Sequence, residues 1–462
     1  MEKEAGLEKP PRLRAIIVGA GITGLVAAHA FERAGIDYVL LEKHKQLTPQ
    51  LGGGIALCPG TLRLLSQLGM LERVHKLGMP ICPQAQLYND EGEEKMKAPE
   101  MQLYKEWLGS EFWFIRRTDL LRELHECLEH GERVMLGKEV RRVQQSGCGA
   151  RVECGDGTVQ EGDFVLGTDG THSIVREAIW EQVGRHDASR DAAAIKTNWR
   201  AAVGSRPTPR GRNNYTFVAV PDNGLAVLGI QEPETFVFAL WPADREGVGR
   251  QGEEVGEVVG RSRLGGGSVK EFLGGEYPSA KGFEVGEGVL GRWYGGRCMV
   301  VGDAAHKIHP CLGVGASVCI ADAIHLANNL AHAAHTLASP LTLAELEAVF
   351  AHTQAQALPP SRIYLFLAAT QARLLHRSGL LWRLLWHWPL LDLFESLVVH
   401  FTALATRQLP LLDYVPEGPW PEGRSEWRYG GKRKRGRSLD GVLTSVLLAV
   451  LNMAARLWEM VH

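Results

Sequence analysis

The sequence predicts an α/β fold with an inserted antiparallel sheet and a helical C-terminal region, and three observations carry that prediction. A short apolar run at residues 15–18 opens into Gly19-Ala20-Gly21-Ile22-Thr23-Gly24 and then into LVAAHAFERAG, whose apolar spacing is helical. Residues 196–241 break into runs that alternate apolar and polar positions, NWRAAVG, YTFVAV, LAVLGI and TFVFALW, the period of an antiparallel sheet. Beyond residue 360 the chain becomes rich in Leu and Trp at helical spacing, bounded near Pro389 and Pro410.

Composition sets the frame for these elements. A chain of 462 residues that is 45% hydrophobic and 23% charged can bury a large core and is expected to divide into two or three domains. A formal net charge of −2 supplies no global field for nucleic acid. The eight cysteines, at 58, 82, 127, 148, 154, 298, 311 and 319, form no C-x-x-C pair or metal-ligand spacing, which predicts reduced thiols and no zinc site. The opening MEKEAGLEKPPRLR is polar and predicts no cleavable export signal.

The first element is a Rossmann-like βαβ unit. Gly19 allows a tight turn, Gly21 lets a pyrophosphate approach the backbone, and Gly24 lets the helix pack on the strand; the helix N-terminus offers N–H groups and a partial positive charge. The following strand, DYVLLE, ends on Glu42, which can accept from ribose hydroxyls and disfavours a 2′-phosphate, so the dinucleotide is FAD or NAD rather than NADP. Gly52 to Gly54 allow a second close backbone approach, or simply form a loop. Arg116 and Arg117 precede a helix and suit either a pyrophosphate or a surface salt bridge. The run DFVLG ends in a Thr-Asp-Gly corner in which Asp169 is either a site residue or a turn residue. A second glycine-rich strand-to-helix turn follows in VVGDAAHKIHPCLGVGASVCIADA, residues 300–323.

Taken together, Gly19 to Gly24, Asp169-Gly170 and Gly302-Asp303-Ala304-Ala305-His306 with Pro310 resemble the three ordered motifs of the class A FAD-dependent monooxygenases, the para-hydroxybenzoate and salicylate hydroxylase kind. Within that family AGIDYVLLEKHKQLTPQLGGGIALCPGTLRLLSQLG, TNWRAAVG and LDYVP are similar to the fungal paxilline-type enzymes that epoxidise prenyl chains in meroterpenoid and indole-diterpene pathways. The resemblance implies bound FAD held by Gly19, Gly21, Gly24, Glu42, Ala56, Arg117, Asp169, Asp303 and Ala316, with Asp303 on the ribityl chain and the helix near Gly315-Ala316 aimed at the flavin pyrimidine. It implies that Arg200 and Tyr215 face flavin and substrate, that NAD(P)H binds transiently as reductant, and that O2 forms a C4a-hydroperoxide on the flavin. Oxygen then passes to a small hydrophobic substrate, by epoxidation or, alternatively, by aromatic hydroxylation of the salicylate hydroxylase type. A flavin reductase of the geranylgeranyl reductase kind shares the fold without oxygen transfer, and a flavin-binding protein without catalysis is the third reading. This chain departs from its relatives in carrying Thr168 where Ala is usual, Ala56 where Gly is common, Val314 where Gln is common, and Ala321 where Glu precedes Asp322-Ala323.

Trp199, Phe236, Phe238 and Trp241 are candidates for an apolar substrate wall, and each is also a natural core residue. His306 and His309 are read as parts of a structural turn rather than as general bases. The expected organisation is an FAD-binding domain at 1–180 and 291–345 with small inserted sheet elements, and a substrate-binding sheet at 181–290 in which 243–290 are loops with a short helix. A helical region at 346–415, a polar and basic linker at 416–437 containing KRKRGR, and a hydrophobic helix at 438–462 complete the chain. The uncharged run at 441–455 is short of the roughly twenty residues that span a bilayer, so that helix is either a shallow membrane anchor or a helix docked on the protein. The Leu- and Trp-rich helices are either a cap on the catalytic core or a membrane-surface patch. The expected location is a membrane, facing the cytosol as at the endoplasmic reticulum, or else the cytoplasm.

Overall fold

The computed structural model describes residues 13–48, 53–81, 86–88, 92–97, 100–183, 185–207, 216–219, 225–231, 234–243, 263–264, 267–268, 271, 280–336, 341–377, 379–386, 391–425, 427–429 and 439–461. A six-stranded sheet runs in the order Tyr294–Gly295, Cys298–Val300, Phe164–Gly167, Arg14–Val18, Asp37–Glu42, Val134–Leu136. All its neighbours pair in parallel except the edge hairpin Tyr294–Gly295 with Cys298–Val300. Ala15, Ile16 and Ile17 are fully buried because helices cover the sheet, which is why this strand is continuously apolar rather than alternating.

The helix Ile22–Ala34 ends where predicted. Gly35 takes φ +70°, and its N–H and that of Ile36 close onto the Glu32 and Phe31 carbonyls. This helix packs against the long helix Gly315–Thr336, so the two glycine-rich turns meet over one sheet. The small inserted sheet is Val140–Gln145, Ala150–Cys154 and Val159–Gly162.

The second sheet has eight strands in the order His306–Lys307, Ala280–Val289, Lys196–Pro207, Glu234–Pro242, Leu225–Gln231, Thr216–Ala219, Gln86–Tyr88, Glu94–Lys97. Its centre is antiparallel as the alternation predicts. Two results correct the sequence reading. Residues 280–289, expected in a loop region, form a full strand: the glycines of AKGFEVGEGV hide its alternation, and Gly288 (φ +151°) lies where any Cβ would strike the Ala194 carbonyl. Residues 86–88 and 94–97 join this sheet too, as strands too short to show a period.

The C-terminal region is helical, with Leu343–Leu375, Leu380–Trp386, Leu391–Thr406 and Leu439–Val461. Thr342 and Glu345 form a reciprocal capping box at the start of the first of these. Residues 411–420, whose last part was expected to be a loose linker, instead form a strap across the dinucleotide-binding unit. Gln67 Nε2 donates to the Leu412 and Val415 carbonyls at 2.8 and 2.6 Å, Tyr414 Oη donates to the Ala30 carbonyl at 2.8 Å, and Trp420 Nε1 donates to the Leu108 carbonyl at 2.9 Å. The buried Arg63 pairs with Glu417 and stacks over Trp427 at 4.7 Å. Among the described residues no helix is long and apolar enough to cross a membrane, so the bilayer-spanning form of the C-terminal anchor is not supported.

Candidate active site

A cleft of about 610 Å³ opens at the carboxyl ends of the central parallel strands, the place where an open α/β sheet binds its ligand. Gly19, Gly21, Glu42, Arg117, Asp169, Asp303, Gly315 and Ala316 line it together, although they come from four separate stretches of chain.

The first turn is locked by Thr168, which the sequence marks only as a departure from its relatives. Gly19 takes φ +102°, and a Cβ on Gly24 would collide with the Gly19 carbonyl and lie 2.8 Å from Thr168 Oγ1. Thr168 Oγ1 in turn lies 2.9 Å from the Val18 carbonyl and 2.8 Å from that of Gly19, to which it donates. The unusual Thr in the Asp-Gly corner thus ties the second motif to the first. Glu42 accepts from the Ala20 N–H through Oε2 and from the His44 N–H through Oε1, both at 2.9 Å, which orients its carboxylate at the cleft rim.

The two adjacent arginines divide the two roles that the sequence left open. Arg116 pairs with Glu234 at 3.3 Å and Asp119 at 3.7 Å and stacks on Phe236. Arg117 starts the helix Arg117–Glu126 and donates its backbone N–H to the Gly53 carbonyl at 3.0 Å, while its guanidinium faces the cleft with no ion-pair partner among the described residues. Burial pulls its pKa down, opposed by the charges of Asp303 and Glu42. A shielded cation without a partner is costly until an anion arrives.

Asp169 is mainly a cap. Its Oδ2 accepts from the Ile174 N–H at 2.8 Å at the head of the helix Ile174–Val183, while Oδ1 is buried with no hydrogen-bond partner among the described residues. Burial pushes this carboxyl up. Asp303 pairs with Lys307 at 2.8 Å and accepts from Cys319 Sγ at 3.6 Å, yet its side chain stays 59% exposed toward the cleft. Behind it, the buried Asp322 accepts from the Gly302 N–H at 3.0 Å and contacts His306 Nε2 at 2.7 Å. His306 therefore clamps the Gly302 turn through Asp322, in agreement with its reading as a structural residue. The 22-residue helix Gly315–Thr336 presents the N–H groups of its first turn, which holds no acidic residue, at the cleft.

On the strand Gly54–Leu57 the cleft is lined by Ile55, while Ala56 faces Gly313, where an added Cβ would lie 3.0 Å from that of Ala56. Arg200 is exposed on Lys196–Pro207 and lies outside the cleft lining; strand alternation sets it on the face opposite Trp199 and Val203. Its guanidinium has no partner among the described residues. Tyr215 lies outside the described residues. Trp199 is packed edge-on to His309 at 5.0 Å and against His376 at 4.5 Å; Phe236 meets Phe114, and Trp241 is buried. Phe238 lies 6.4 Å from the exposed Phe283. His309 is fully buried, and its Nδ1 accepts from the Cys311 N–H at 3.3 Å. Burial, reinforced by Arg373, lowers its pKa to about 3, so it stays neutral near pH 7 and is a poor proton acceptor.

Residues 12–356 match the family model described as the FAD binding domain. The chain belongs to this family. It is an FAD-dependent monooxygenase, and curated proteins bearing that name are its relatives. It is 29% identical over 347 residues to the FAD-dependent monooxygenase ausM of Penicillium brasilianum, covering 71% of each chain. It is 30% identical over 340 residues to the FAD-dependent monooxygenase esdpE of Penicillium shearii, covering 70% of this chain and 69% of that one. In fold the monooxygenase is similar to Klebsiella pneumoniae HpxO complexed with FAD and uric acid, with TM-score 0.67 and 19% identity over 85% of this chain and 97% of the other.

The residues present fit FAD. Arg117, which has no ion-pair partner among the described residues, the glycine turn that a Cβ would block and the helix start at Gly315 offer donors for a pyrophosphate, while the carboxylates of Glu42 and Asp303 at the cleft offer acceptors for ribose and ribityl hydroxyls.

Proposed function

We propose that this monooxygenase uses NAD(P)H and dioxygen to epoxidise or hydroxylate a hydrophobic secondary metabolite, a prenylated meroterpenoid or an aromatic polyketide. One oxygen atom enters the substrate, the other leaves as water, and NAD(P)H supplies the two electrons. Bound FAD contributes the oxygen-activating chemistry. The chain contributes position and field: Arg117 neutralises the pyrophosphate, Glu42 holds the ribose, and Asp303 holds the ribityl hydroxyls. The N–H groups of Gly315 and Ala316 stabilise negative charge at the pyrimidine end. The observation that carries the reading is this convergence on one cleft of Arg117, without an ion-pair partner among the described residues, and the start of the helix Gly315–Thr336.

The apolar face of the second sheet, with Trp199, Ala201, Leu240 and Val285 buried on it, supplies a dry wall beside the His309–Gly313 turn. Water exclusion there favours transfer of oxygen over its loss. Arg200 is exposed on the opposite face of the same strand and outside the cleft lining, so its role toward substrate rests on the family resemblance alone.

Purified protein is reduced anaerobically with NADPH while the flavin bands are followed, then given 18O2 and prenylated aromatic candidates. Bleaching followed by one labelled oxygen in the product supports the proposal. Flavin that bleaches and reoxidises without labelling any candidate moves the reading to a reductase, and flavin that NADPH cannot bleach moves it to a non-catalytic binder. Arg200→Ala is expected to keep full FAD content and lose turnover by at least about tenfold, the effect of removing one charge-assisted contact. Unchanged turnover removes Arg200 from the site.

A further inference from the structure

Eight of the eleven exposed large apolar side chains among the described residues lie on three C-terminal helices: Leu380, Leu381 and Leu384, then Leu397, then Leu447, Val450, Met453 and Leu457. On Leu439–Val461 the exposed four recur every three or four residues, while Leu451 and Ala455 are buried on the opposite side, against the body of the protein. The helix therefore has two apolar faces, and only one is used by the fold. The short helix Leu380–Trp386 repeats the arrangement: Trp386, Leu385 and Trp382 pack against Trp199 and Phe238, while Leu380, Leu381 and Leu384 stand 75%, 63% and 64% exposed.

The two surfaces adjoin. Trp458, next to Leu457, lies under the Arg373 guanidinium at 5.1 Å, near the end of the helix Leu343–Leu375 that leads into Leu380–Trp386. Arg383 and Arg456 are exposed on these two helices, the last of which also carries Asp440 and Glu459, and the five basic residues of KRKRGR at 432–437 directly before it in sequence tip the local balance of charge to basic.

We infer that this two-helix surface docks on the face of an anionic lipid bilayer, with the leucines immersed in the headgroup region and the basic residues against the lipid phosphates. A basic rim repels a second copy of itself but is drawn to an anionic surface, which selects lipid over self-association. Attachment is monotopic, since no described helix can cross. This surface requires nothing of the catalytic reading, because docking is measured without turnover. Where that reading also holds, the inner side of Leu380–Trp386 belongs to the same apolar cluster as Trp199 and Leu240 of the second sheet.

The test is flotation of the full-length FAD-loaded protein with phosphatidylcholine vesicles, with and without phosphatidylserine. The wild type is expected to float with phosphatidylserine-containing vesicles. Leu381→Glu/Leu384→Glu and Val450→Glu/Leu457→Glu should each lower partition by about tenfold or more, with the flavin spectrum and melting temperature unchanged because these side chains are exposed. Replacing the basic residues of 432–437 by Ser should remove the phosphatidylserine dependence. A wild type that stays in solution, or variants that float equally, overturns the proposal. So does a wild type that is dimeric by light scattering while the variants are monomeric, which assigns the face to a second copy.

Discussion

At the scale of single residues, Arg117 carries the clearest prediction. Its neighbour Arg116 spends its charge on Glu234 and Asp119, whereas Arg117 keeps its charge for the cleft. Arg117→Gln is expected to weaken FAD binding by about 1.5–3 kcal/mol, the range of a hydrogen bond to a charged group, read as a tenfold or greater rise in Kd by flavin fluorescence. Arg116→Gln should leave Kd nearly unchanged. The histidines make a second prediction. Burial holds His309 at about 3 and His325 at about 4, with Arg373 adding to the first and Arg428 and His352 to the second. Both pKa values are depressed relative to the unfolded chain, so below about pH 6.5 the unfolded state takes up protons that the folded state refuses. Stability is therefore full above that pH and falls as pH drops toward 4, by roughly 1.4 kcal/mol per unit for each histidine. Thermal melts from pH 8 to 5 at fixed ionic strength should show the loss, and His325→Gln should flatten it.

At the scale of elements, the cleft depends on turns that are tied to one another rather than on any one turn. Thr168 binds the Asp-Gly corner to the first glycine turn, and Asp322 binds the helix Gly315–Thr336 to Gly302 and His306. The strap at 411–420 does the same for the outer layers. Its anchor is Arg63, 3% exposed at the side chain, paired with Glu417 at 24%. Glu417→Ala strands that buried cation and is expected to cost about 3 kcal/mol, measured as a drop in the urea midpoint at constant FAD content. Replacing both partners with apolar residues should recover part of the loss, since the penalty belongs to the unpaired charge and not to the pair as such.

At the scale of the whole molecule, the fold is one largely parallel sheet whose strand ends form the dinucleotide cleft and one largely antiparallel sheet, with long helices packed on both. How much of this was legible in the sequence follows from the range of the interactions. The phosphate cradle was legible because each part is local: Gly19, Gly21, Gly24 and Glu42 lie on one βαβ stretch, and the Gly302 and Gly315 turns carry their own strand and helix. The strand Ala280–Val289 was not, because glycines at alternate positions erase the period that marks a strand. Nor was the strap, whose first half, LLDYV, reads as part of the helical region and whose second half reads as a linker until its partners Gln67, Ala30 and Leu108 are brought beneath it.

The sequence by itself determined where a dinucleotide is gripped, since a tight turn, a helix start and an acidic strand end are properties of neighbours along the chain. Tertiary structure alone decided which of two adjacent arginines lines the cleft, which face of its strand Arg200 occupies, and that Thr168 and Asp322 are the clasps of the cleft. It also decided that the last helix buries one apolar side and exposes the other. Those outcomes turn on which distant segment supplies the partner charge, carbonyl or apolar surface, and only the folded chain brings that segment into place.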